Sequence, residues 1–304
     1  MKKDILTLLD LKKTDVDFLI RRALELKEKR SMGASERPLK GKTLGLIFDK
    51  PSTRTRISFE AAMVQLGGTP IFISAKDSQM VRNEPVRDTA RVLSRYLDGL
   101  AIRTFSDDLI KEFADYSTIP VINALTDLYH PIQVLSDVMT VVEIKGRYRD
   151  FRIVWVGDGN NVAHSWINAA AVLDLDLTLA CPEGYQPDAA ILDRATQRGG
   201  GNIRIVKDPA VAVQQADVIY TDVWASMGQE EQQAERLDVF SAYEVNQELV
   251  AAASDDVIVM HCLPAHRGEE ISENVLEGDR SVVWDQSENK LHMHKAVLEW
   301  LIGS

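Results

Sequence analysis

Short apolar runs alternate with stretches of helical periodicity along most of the chain. In the first half, the runs TLGLIF at 43–48 and TPIFIS at 69–74 are each followed by a segment whose apolar residues recur at helical spacing. Where strands and helices alternate in this way, neighbouring strands run parallel and the helices cover the sheet. The alternation therefore predicts an α/β protein built on parallel sheets.

The second half repeats the pattern, beginning with the run FRIVWVGDG at 151–159. We therefore predict two doubly wound parallel-sheet domains, at residues 1–140 and 141–288, and a C-terminal helix at 289–304 that packs back on the first domain. In such folds ligands bind beyond the carboxyl ends of the strands. The active site is accordingly predicted to lie in the cleft between the two domains.

Local signals predict where two of the helices begin and end. Thr14 is a candidate N-cap, and Asp17 completes a capping box with it, which predicts a helix over about 14–30. A second helix is predicted over 57–66, because two consecutive glycines follow it and glycine is the common residue just beyond a helix.

Composition excludes several classes of protein. The formal net charge is −11, which argues against nucleic acid or an anionic membrane as a partner. The two cysteines, Cys181 and Cys262, are far apart, so the sequence offers no disulfide framework and suits a reducing cytoplasm. The first residues, MKKDILTLLDLKK, contain no long apolar run, which predicts neither a signal peptide nor a membrane span. We therefore expect a cytoplasmic protein.

The segment PSTRTR at 51–56 places three hydroxyl groups and two guanidinium groups between a predicted strand and a predicted helix. Free backbone N–H groups and the helix dipole favour an anion at that position. Hydroxyl groups add donors, and Arg54 can form two hydrogen bonds to one phosphate. The segment therefore predicts an oxyanion site, and the alternative interpretation is a helix cap with surface arginines.

Two other candidate phosphate motifs are incomplete. The GKT triplet at 41–43 precedes its strand and lacks the upstream glycine of a Walker loop. The segment GDGNNV at 157–162 follows a strand, but Val162 stands where a dinucleotide-binding turn has its third glycine. A tight strand–helix turn is favoured there, although Asn160 and Asn161 can present amides to a ligand.

Further polar residues lie at predicted strand ends or helix starts. Arg103 closes the run LAIRTF and is expected to face a ligand, with a surface salt bridge as the alternative. His130 and Gln133 lie within one turn at a helix start; a single histidine is more often structural, but Gln133 beside it favours a site. The segment DVWASMG at 222–228 ends a strand in small residues, as a binding loop does.

The segment HCLP at 261–264 ends another predicted strand. Cys262 is a candidate site residue there, although a cysteine is more often a small buried apolar side chain than a nucleophile. We predict no metal site, because an HExxH-like spacing is missing among four of the histidines: His261, His266, His292 and His294.

Taken together, STRTR, RTF, HPxQ, DVWxSMG and HCLPAHRGEEI resemble the motifs of the aspartate/ornithine carbamoyltransferase family. The resemblance runs in order over nearly the whole chain. It implies transfer of a carbamoyl group from carbamoyl phosphate to the δ-amine of L-ornithine, giving L-citrulline and phosphate. It also implies a homotrimer whose subunits share active sites, without a metal or an organic cofactor.

The resemblance assigns a role to each matching position. It implies that phosphate is bound by Ser52, Thr53, Arg54 and Thr55. It places at the carbamoyl end Arg103, His130, Pro131, Ile132 and Gln133, with Gln79 supplied by a neighbouring subunit. It gives as ornithine-binding positions Asn161, Asp222, Ser226 and Met227. Near the reacting carbon and amine it places Cys262 and Leu263. The four residues assigned to catalysis are Arg103, His130, Asp222 and Cys262.

One position departs from the family pattern. The family has an arginine after Glu288 and Asn289, where this chain has Lys290. A lysine keeps the positive charge but lacks the planar fork of arginine. Lys290 is therefore included among the substrate-binding residues, with its contact to carbamoyl phosphate as the open question.

The sequence is consistent with three functions. The first is carbamoyl transfer to ornithine. The second is a carbamoyltransferase for another acceptor, such as aspartate, N-acetylornithine or putrescine; the intact DVWASMG and HCLP segments argue for free ornithine. The third is a nucleotide-linked dehydrogenase or a non-catalytic binding protein on the same fold. The missing third glycine speaks against the dehydrogenase.

Overall fold

The structure is a computed structural model that describes residues 2–49, 52–74, 84–225 and 233–303. Within these ranges the strands are β1 (Thr43–Phe48), β2 (Thr69–Ser74), β3 (Gly99–Arg103), β4 (Val121–Leu125), β5 (Arg152–Val156), β6 (Asp176–Ala180), β7 (Asn202–Val206), β8 (Val218–Thr221) and β9 (Ile258–His261). The helices are α1 (Lys13–Ser31), α2 (Thr53–Gln65), α3 (Val86–Leu93), α4 (Asp107–Tyr116), α5 (Pro131–Lys145), α6 (Asn161–Leu173), α7 (Ala189–Gln197), α8 (Pro209–Ala212), α9 (Gln233–Phe240), α10 (Gln247–Ala251), α11 (Glu273–Leu276) and α12 (Val283–Ile302).

The chain divides into two compact units, the first of which comprises Met1–Met139 and Asn289–Ser304. Its sheet has the strand order β2-β1-β3-β4, and all the pairs are parallel. The order reverses between β1 and β3, because the chain goes from β1 to β2 on one side and then returns to β3 on the other. A parallel sheet opens a crevice at such a point, beyond the carboxyl ends of the two strands. Residues 52–55 lie after β1, and Arg103 is the last residue of β3.

The second unit comprises Thr140–Glu288. Its sheet has the order β7-β6-β5-β8-β9, again with parallel pairs throughout. Strand β5 pairs with β6 on one side and with β8 on the other, so the reversal lies between β5 and β8. The turns after these two strands contain Asn160 and Asp222, and Asn161 begins the helix that follows the first turn. The predicted fold class, two parallel-sheet α/β domains, is confirmed.

Several predicted helix boundaries were wrong. Helix α1 begins at Lys13, so Thr14 is already helical and cannot be the N-cap; the Asp15 carboxylate instead accepts a hydrogen bond from the Lys12 amide at 3.0 Å. Helix α2 begins at Thr53 rather than at residue 57, which makes STRTR its first turn. Apolar periodicity detects only the buried stripe of a helix, and the polar first turns of these helices therefore escape it.

The last helix, α12, also begins before the predicted boundary, and its residues from 289 onward belong to the first unit. The Arg22 guanidinium donates to both carboxylate oxygens of Glu299, each at 3.0 Å, and Lys27 donates to Asn289 at 2.8 Å. These contacts fix the helix on α1 and set the position of Lys290. Among the described residues, no helix combines the length and the apolar character needed to cross a membrane.

Candidate active site

The first turn of α2 forms the candidate phosphate site of the first unit. Ser52 occupies the N-cap position with extended backbone, and its side chain makes no capping hydrogen bond. Thr53 and Arg54 are exposed, whereas Thr55 is buried. The amide groups of this first turn have no partner inside the helix, so they and the hydroxyl groups can donate to an oxyanion.

The two arginines of the segment differ in their contacts. Arg56 donates to Glu60 at 2.8 Å and lies 3.6 Å from the centre of the Phe72 ring, so its charge is already compensated. Arg54 is exposed, and within the described part of the chain it makes no hydrogen bond or ion pair. The geometry therefore favours Arg54 over Arg56 as the guanidinium that meets a ligand.

Lys290 joins two predicted site residues that are distant in sequence. Its ammonium group donates to Thr55 Oγ1 and to Gln133 Oε1, both at 2.9 Å. Gln133 also donates to Asp137 at 2.9 Å, which orients its amide. Lys290 is 6% exposed, so the cation that donates to these two oxygens lies inside the protein. A buried ammonium with such partners keeps a strong field near the phosphate site.

His130 and Arg103 lie in the same electrostatic environment. Arg103 ends β3 and is buried, and buried His130 immediately precedes α5. Burial lowers the pKa of His130 well below its usual value, and the positive charges of Lys290, Arg103 and His294 lower it further. His130 is therefore neutral at neutral pH and can act as a directed hydrogen-bond donor. Pro131 begins α5, and Ile132 beside it is fully buried.

Acid is expected to destabilise the first unit through these histidines. Burial also lowers the pKa of His294 well below its usual value, with Lys290 as the second cause. The unfolded chain therefore takes up protons first when the pH falls below about 6.5, and the free energy of unfolding decreases. Urea denaturation of wild type and His294→Gln at several pH values checks this. The variant should show a shallower loss of stability on acidification, and an unchanged slope would contradict the assignment.

In the second unit, Asp222 connects two turns. It follows β8 and is buried; its Oδ2 accepts from the Asn160 amide at 2.8 Å, and its Oδ1 accepts from the Cys262 thiol at 3.0 Å. Asn161 is the first residue of α6 and is partly exposed. The structure thus brings Asp222 and Cys262 together, and Asn160 contacts Asp222 as well.

Cys262 and Leu263 belong to a constrained turn after β9. Leu263 has a φ of 59°, in the left-handed region that is unusual for a leucine. Its amide donates to His261 Nδ1 at 2.8 Å, so the imidazole proton lies on Nε2, which is 3.0 Å from Glu270 Oε1. The buried His261–Glu270 pair thereby fixes the backbone that presents Cys262 and Leu263.

Sequence reasoning missed Asp158 and Arg236. Arg236 is buried and donates to Asp158 Oδ2 at 3.0 Å and to the carbonyl of Trp224 at 2.6 Å. It therefore ties the turn after β5 to the turn after β8, on which Asp222 lies. Burial raises the pKa of Asp158 to about 6, against the opposing effect of Arg236. In the sequence, only the GDG turn at 157–159 pointed to this pair. Asp158 and Arg236 are 78 residues apart, so no local pattern links them.

The geometry of the second unit bears on two alternative kinds of site, a dinucleotide site and a metal site. The side chain of Asn160 accepts from the amides of Val162 and Ala163, so it occupies the helix terminus that a dinucleotide pyrophosphate would use. Two groups of residues have donor atoms close enough for a metal ion: Asp222 with His261 and Cys262, and His266 with Glu269 and Glu270. In the first group the thiol already donates to Asp222.

Three predicted site residues lie outside the described residues: Gln79, Ser226 and Met227.

Comparison with known proteins identifies the family. The carbamoyl-P binding domain of aspartate/ornithine carbamoyltransferase matches residues 3–143. The Asp/Orn binding domain of the same family matches residues 149–301. The chain belongs to the aspartate/ornithine carbamoyltransferase family. The resemblance predicted from the motifs is thereby confirmed.

Individual members of the aspartate/ornithine carbamoyltransferase family are similar to this chain over nearly its full length. An ornithine carbamoyltransferase of Desulfotalea psychrophila is 59% identical over 289 residues, covering 95% of each chain. One of Syntrophus aciditrophicus is 57% identical, covering 99% of this chain and 100% of the relative. The solved structure of ornithine carbamoyltransferase from Pyrococcus furiosus aligns with a TM-score of 0.95 at 47% identity, covering 100% of this chain and 98% of that one.

Proposed function

We propose that this carbamoyltransferase moves the carbamoyl group of carbamoyl phosphate to the δ-amine of L-ornithine, forming L-citrulline and phosphate. The observation that supports this best is the similarity, over almost the whole chain, to relatives named ornithine carbamoyltransferase. The contact of Asp222 with Cys262 and Asn160 adds support, because it gathers polar side chains at the end of the second unit's sheet where an acceptor amine can bind.

Phosphate is held by the first turn of α2 in this proposal. The hydroxyl groups of Ser52 and Thr53 and the amides of the helix N-terminus, including that of Thr55, donate to its oxygens, and Arg54 supplies the charge-assisted fork. The leaving phosphate gains negative charge as the bond to the carbamoyl carbon breaks. Arg54 and the helix dipole offset that charge where it develops.

The carbamoyl carbon is attacked by the neutral amine, which produces a tetrahedral oxyanion. Arg103, neutral His130 and Thr55 are the donors proposed to stabilise this oxygen. Lys290 holds Thr55 and Gln133 and adds a buried positive charge. No covalent enzyme intermediate is required, so positioning and fixed charges supply the acceleration.

Ornithine is proposed to meet the residues of the second unit. Asp222 and Cys262 orient the δ-amine, with Asn161 and Leu263 beside them and with Ser226 and Met227 as further contacts. The amine reaches the enzyme as an ammonium and releases one proton to solvent water before attack. The departing phosphate, once formed, is a sufficient base for the second proton that the nitrogen loses.

The proposed function is tested by citrulline formation with a set of amines. Purified enzyme is supplied with carbamoyl phosphate and with ornithine, N-acetylornithine, putrescine or aspartate. Ornithine should give a kcat/KM at least about 100-fold higher than any other amine, because a site that pairs charged groups penalises an analogue lacking them. A higher value for N-acetylornithine or putrescine would assign the enzyme to that acceptor instead.

Asp222→Asn is expected to raise the KM for ornithine by at least about tenfold, because the amide cannot match the charge-assisted bond to an ammonium or amine. Carbamoyl phosphate binding, measured alone by calorimetry, should barely change. Asp176→Asn is the matched control, since Asp176 lies in the same sheet but pairs with Arg204 at the surface. The reverse pattern, weaker carbamoyl phosphate binding with normal KM for ornithine, would place Asp222 in the wrong half of the site.

We also infer that the enzyme is a homotrimer with shared active sites, in which Gln79 acts on a neighbouring subunit. Large apolar side chains are exposed on α2 and on the edge strand β2, namely Ile57, Val64, Ile71 and Phe72. An exposed apolar sheet edge is a surface that proteins ordinarily cover.

Ile71→Asp should therefore lower the mass in solution from that of a trimer to that of a monomer, as read by light scattering. Activity should fall with it. Ile205→Asp is the matched control, because Ile205 is similarly exposed, 40% against 44%, on β7 at the edge of the other sheet. A trimer that survives Ile71→Asp would exclude this edge as the interface.

We further infer a cytoplasmic role in arginine biosynthesis, since citrulline is a precursor of arginine. The two free cysteines, Cys181 and Cys262, support a reducing compartment. Restored growth of a bacterial arginine auxotroph that lacks ornithine carbamoyl transfer tests this role.

A further inference from the structure

The turn after Cys262 carries a second group of polar side chains that the reaction does not use. Here the Glu269 amide donates to the His266 carbonyl at 3.0 Å, and the Gly268 amide donates to the Ile271 carbonyl at 2.9 Å. This tight turn, with Gly268 at a φ of 82°, folds His266 back over the residues that follow. His266 Nδ1 consequently lies 3.7 Å from one carboxylate oxygen of Glu269 and 3.7 Å from Glu270 Oε2.

Glu270 is the unusual member of this group, because its side chain is fully buried. Its Oε1 accepts hydrogen bonds from the His266 amide at 2.6 Å and from His261 Nε2 at 3.0 Å. Its Oε2 is also buried, yet it accepts no hydrogen bond from any described residue. A buried carboxylate oxygen without a donor is costly, and it therefore indicates a missing electropositive partner.

The charges around the turn point to a cation as that partner. Arg267, the nearest basic residue in sequence, forms its ion pairs with Glu273 and Glu277 instead. Among the described residues, the ion pairs of Glu269 and Glu270 come only from histidines. Within the described ranges, two carboxylates thus converge on one imidazole nitrogen, and neither forms an ion pair with a lysine or arginine.

We propose that His266 Nδ1, Glu269 and Glu270 Oε2 bind a divalent transition-metal ion, with Zn²⁺ as the best match. Donors about 2.1 Å from a common ion lie roughly 3.0–4.2 Å apart, and the two distances of 3.7 Å from His266 fall in this range. The three donor atoms all lie within 4.8 Å of one another. One imidazole and two carboxylates form a borderline donor set that suits Zn²⁺ or Co²⁺ better than Mg²⁺.

The position of these three side chains lets a bound ion exchange with solvent, and it links the ion to the turn that presents Cys262. The side chains of His266 and Glu269 are 45% and 28% exposed, so an ion can enter from water and keep water as a further ligand. Glu270 reaches inward to His261, which holds the Leu263 amide. An ion on Oε2 would therefore hold Glu270 against His261 and restrain the turn that presents Cys262.

Co²⁺ is the probe, because its absorption reports the ligands. The tag-free full-length enzyme is titrated with Co²⁺, and wild type should bind one ion per chain with visible bands and without thiolate-to-metal absorption. His266→Ala and Glu269→Gln should each weaken this binding at least about tenfold, because even the loss of a group that only orients a metal ligand costs that much. Glu273→Gln is the matched control; it removes a nearby exposed carboxylate that lies outside the group and should bind Co²⁺ as wild type does.

Thermal unfolding gives an independent readout. Zn²⁺ should raise the unfolding temperature of wild type and of Glu273→Gln, and should do so much less for His266→Ala and Glu269→Gln. Unchanged Co²⁺ binding in both ligand variants would overturn the proposal. Bands that carry thiolate absorption and disappear only in Cys262→Ser would overturn it as well, since they would place the ion on Asp222 and Cys262. Binding seen only at millimolar Co²⁺ would equally overturn it.

Discussion

Arg54→Ala is expected to lower kcat/KM by about 30- to 150-fold, which corresponds to about 2–3 kcal/mol of transition-state stabilisation. The reason is the position of Arg54 at the first turn of α2, exposed and without an ion pair among the described residues. Its guanidinium is therefore available for two charge-assisted bonds to the phosphate oxygens, and those bonds strengthen as phosphate departs with added charge.

Arg56→Ala is the control for this experiment. Arg56 lies two residues away on the same helix but is already paired with Glu60 and stacked on Phe72. Its loss removes the same formal charge and leaves the proposed fork in place, so kcat/KM should change by less than about threefold, as for most exposed ion pairs. Inhibition by inorganic phosphate, measured for both variants, should weaken only in Arg54→Ala. Unchanged phosphate inhibition in that variant would remove Arg54 from the site.

Lys290→Met is expected to lower kcat/KM by at least about 100-fold, because it leaves two buried acceptors without a donor and removes a buried charge. The acceptors are Thr55 Oγ1 and Gln133 Oε1. The pKa of His130 should rise at the same time, since the charge of Lys290 is one of the causes that lower it. The acid limb of the pH–rate profile should shift upward accordingly.

Two further variants separate catalysis from folding. Lys295→Met removes a second lysine of α12 that is equally buried, with both side chains 6% exposed. It should alter stability with little effect on the affinity for carbamoyl phosphate. Lys290→Arg restores the family residue and should keep activity within about tenfold of wild type, because the charge persists and the fork can replace the ammonium. Wild-type carbamoyl phosphate affinity in Lys290→Met would show that Lys290 has only a structural role.

The fold class followed from the sequence because hydrophobic periodicity is a local property. The apolar runs at 43–48 and 69–74 correspond residue for residue to β1 and β2. Helix starts were less predictable: Asp15 rather than Asp17 receives the amide that precedes α1. The choice among nearby polar side chains depends on backbone angles, and spacing alone does not fix these.

The polar groups within single segments could likewise be used to predict a function from the sequence. STRTR predicts an anion site, and HCLP and DVW contain Cys262 and Asp222, which the structure brings together. Such segments carry their hydroxyl, guanidinium, thiol and carboxylate groups within a few residues, and the parallel α/β pattern places the ends of strands at one edge of each sheet. Residue types and their order were sufficient for that conclusion.

Contacts between distant segments were decided by the tertiary structure. Lys290 meets Thr55 across 235 residues and Gln133 across 157, and Arg236 meets Asp158 across 78. Glu270 likewise becomes significant only because the turn buries one of its oxygens without a donor. Partners, burial and the resulting pKa shifts arise when the sheet order and the packing of α12 bring remote side chains together, and no local pattern in the chain encodes those distances.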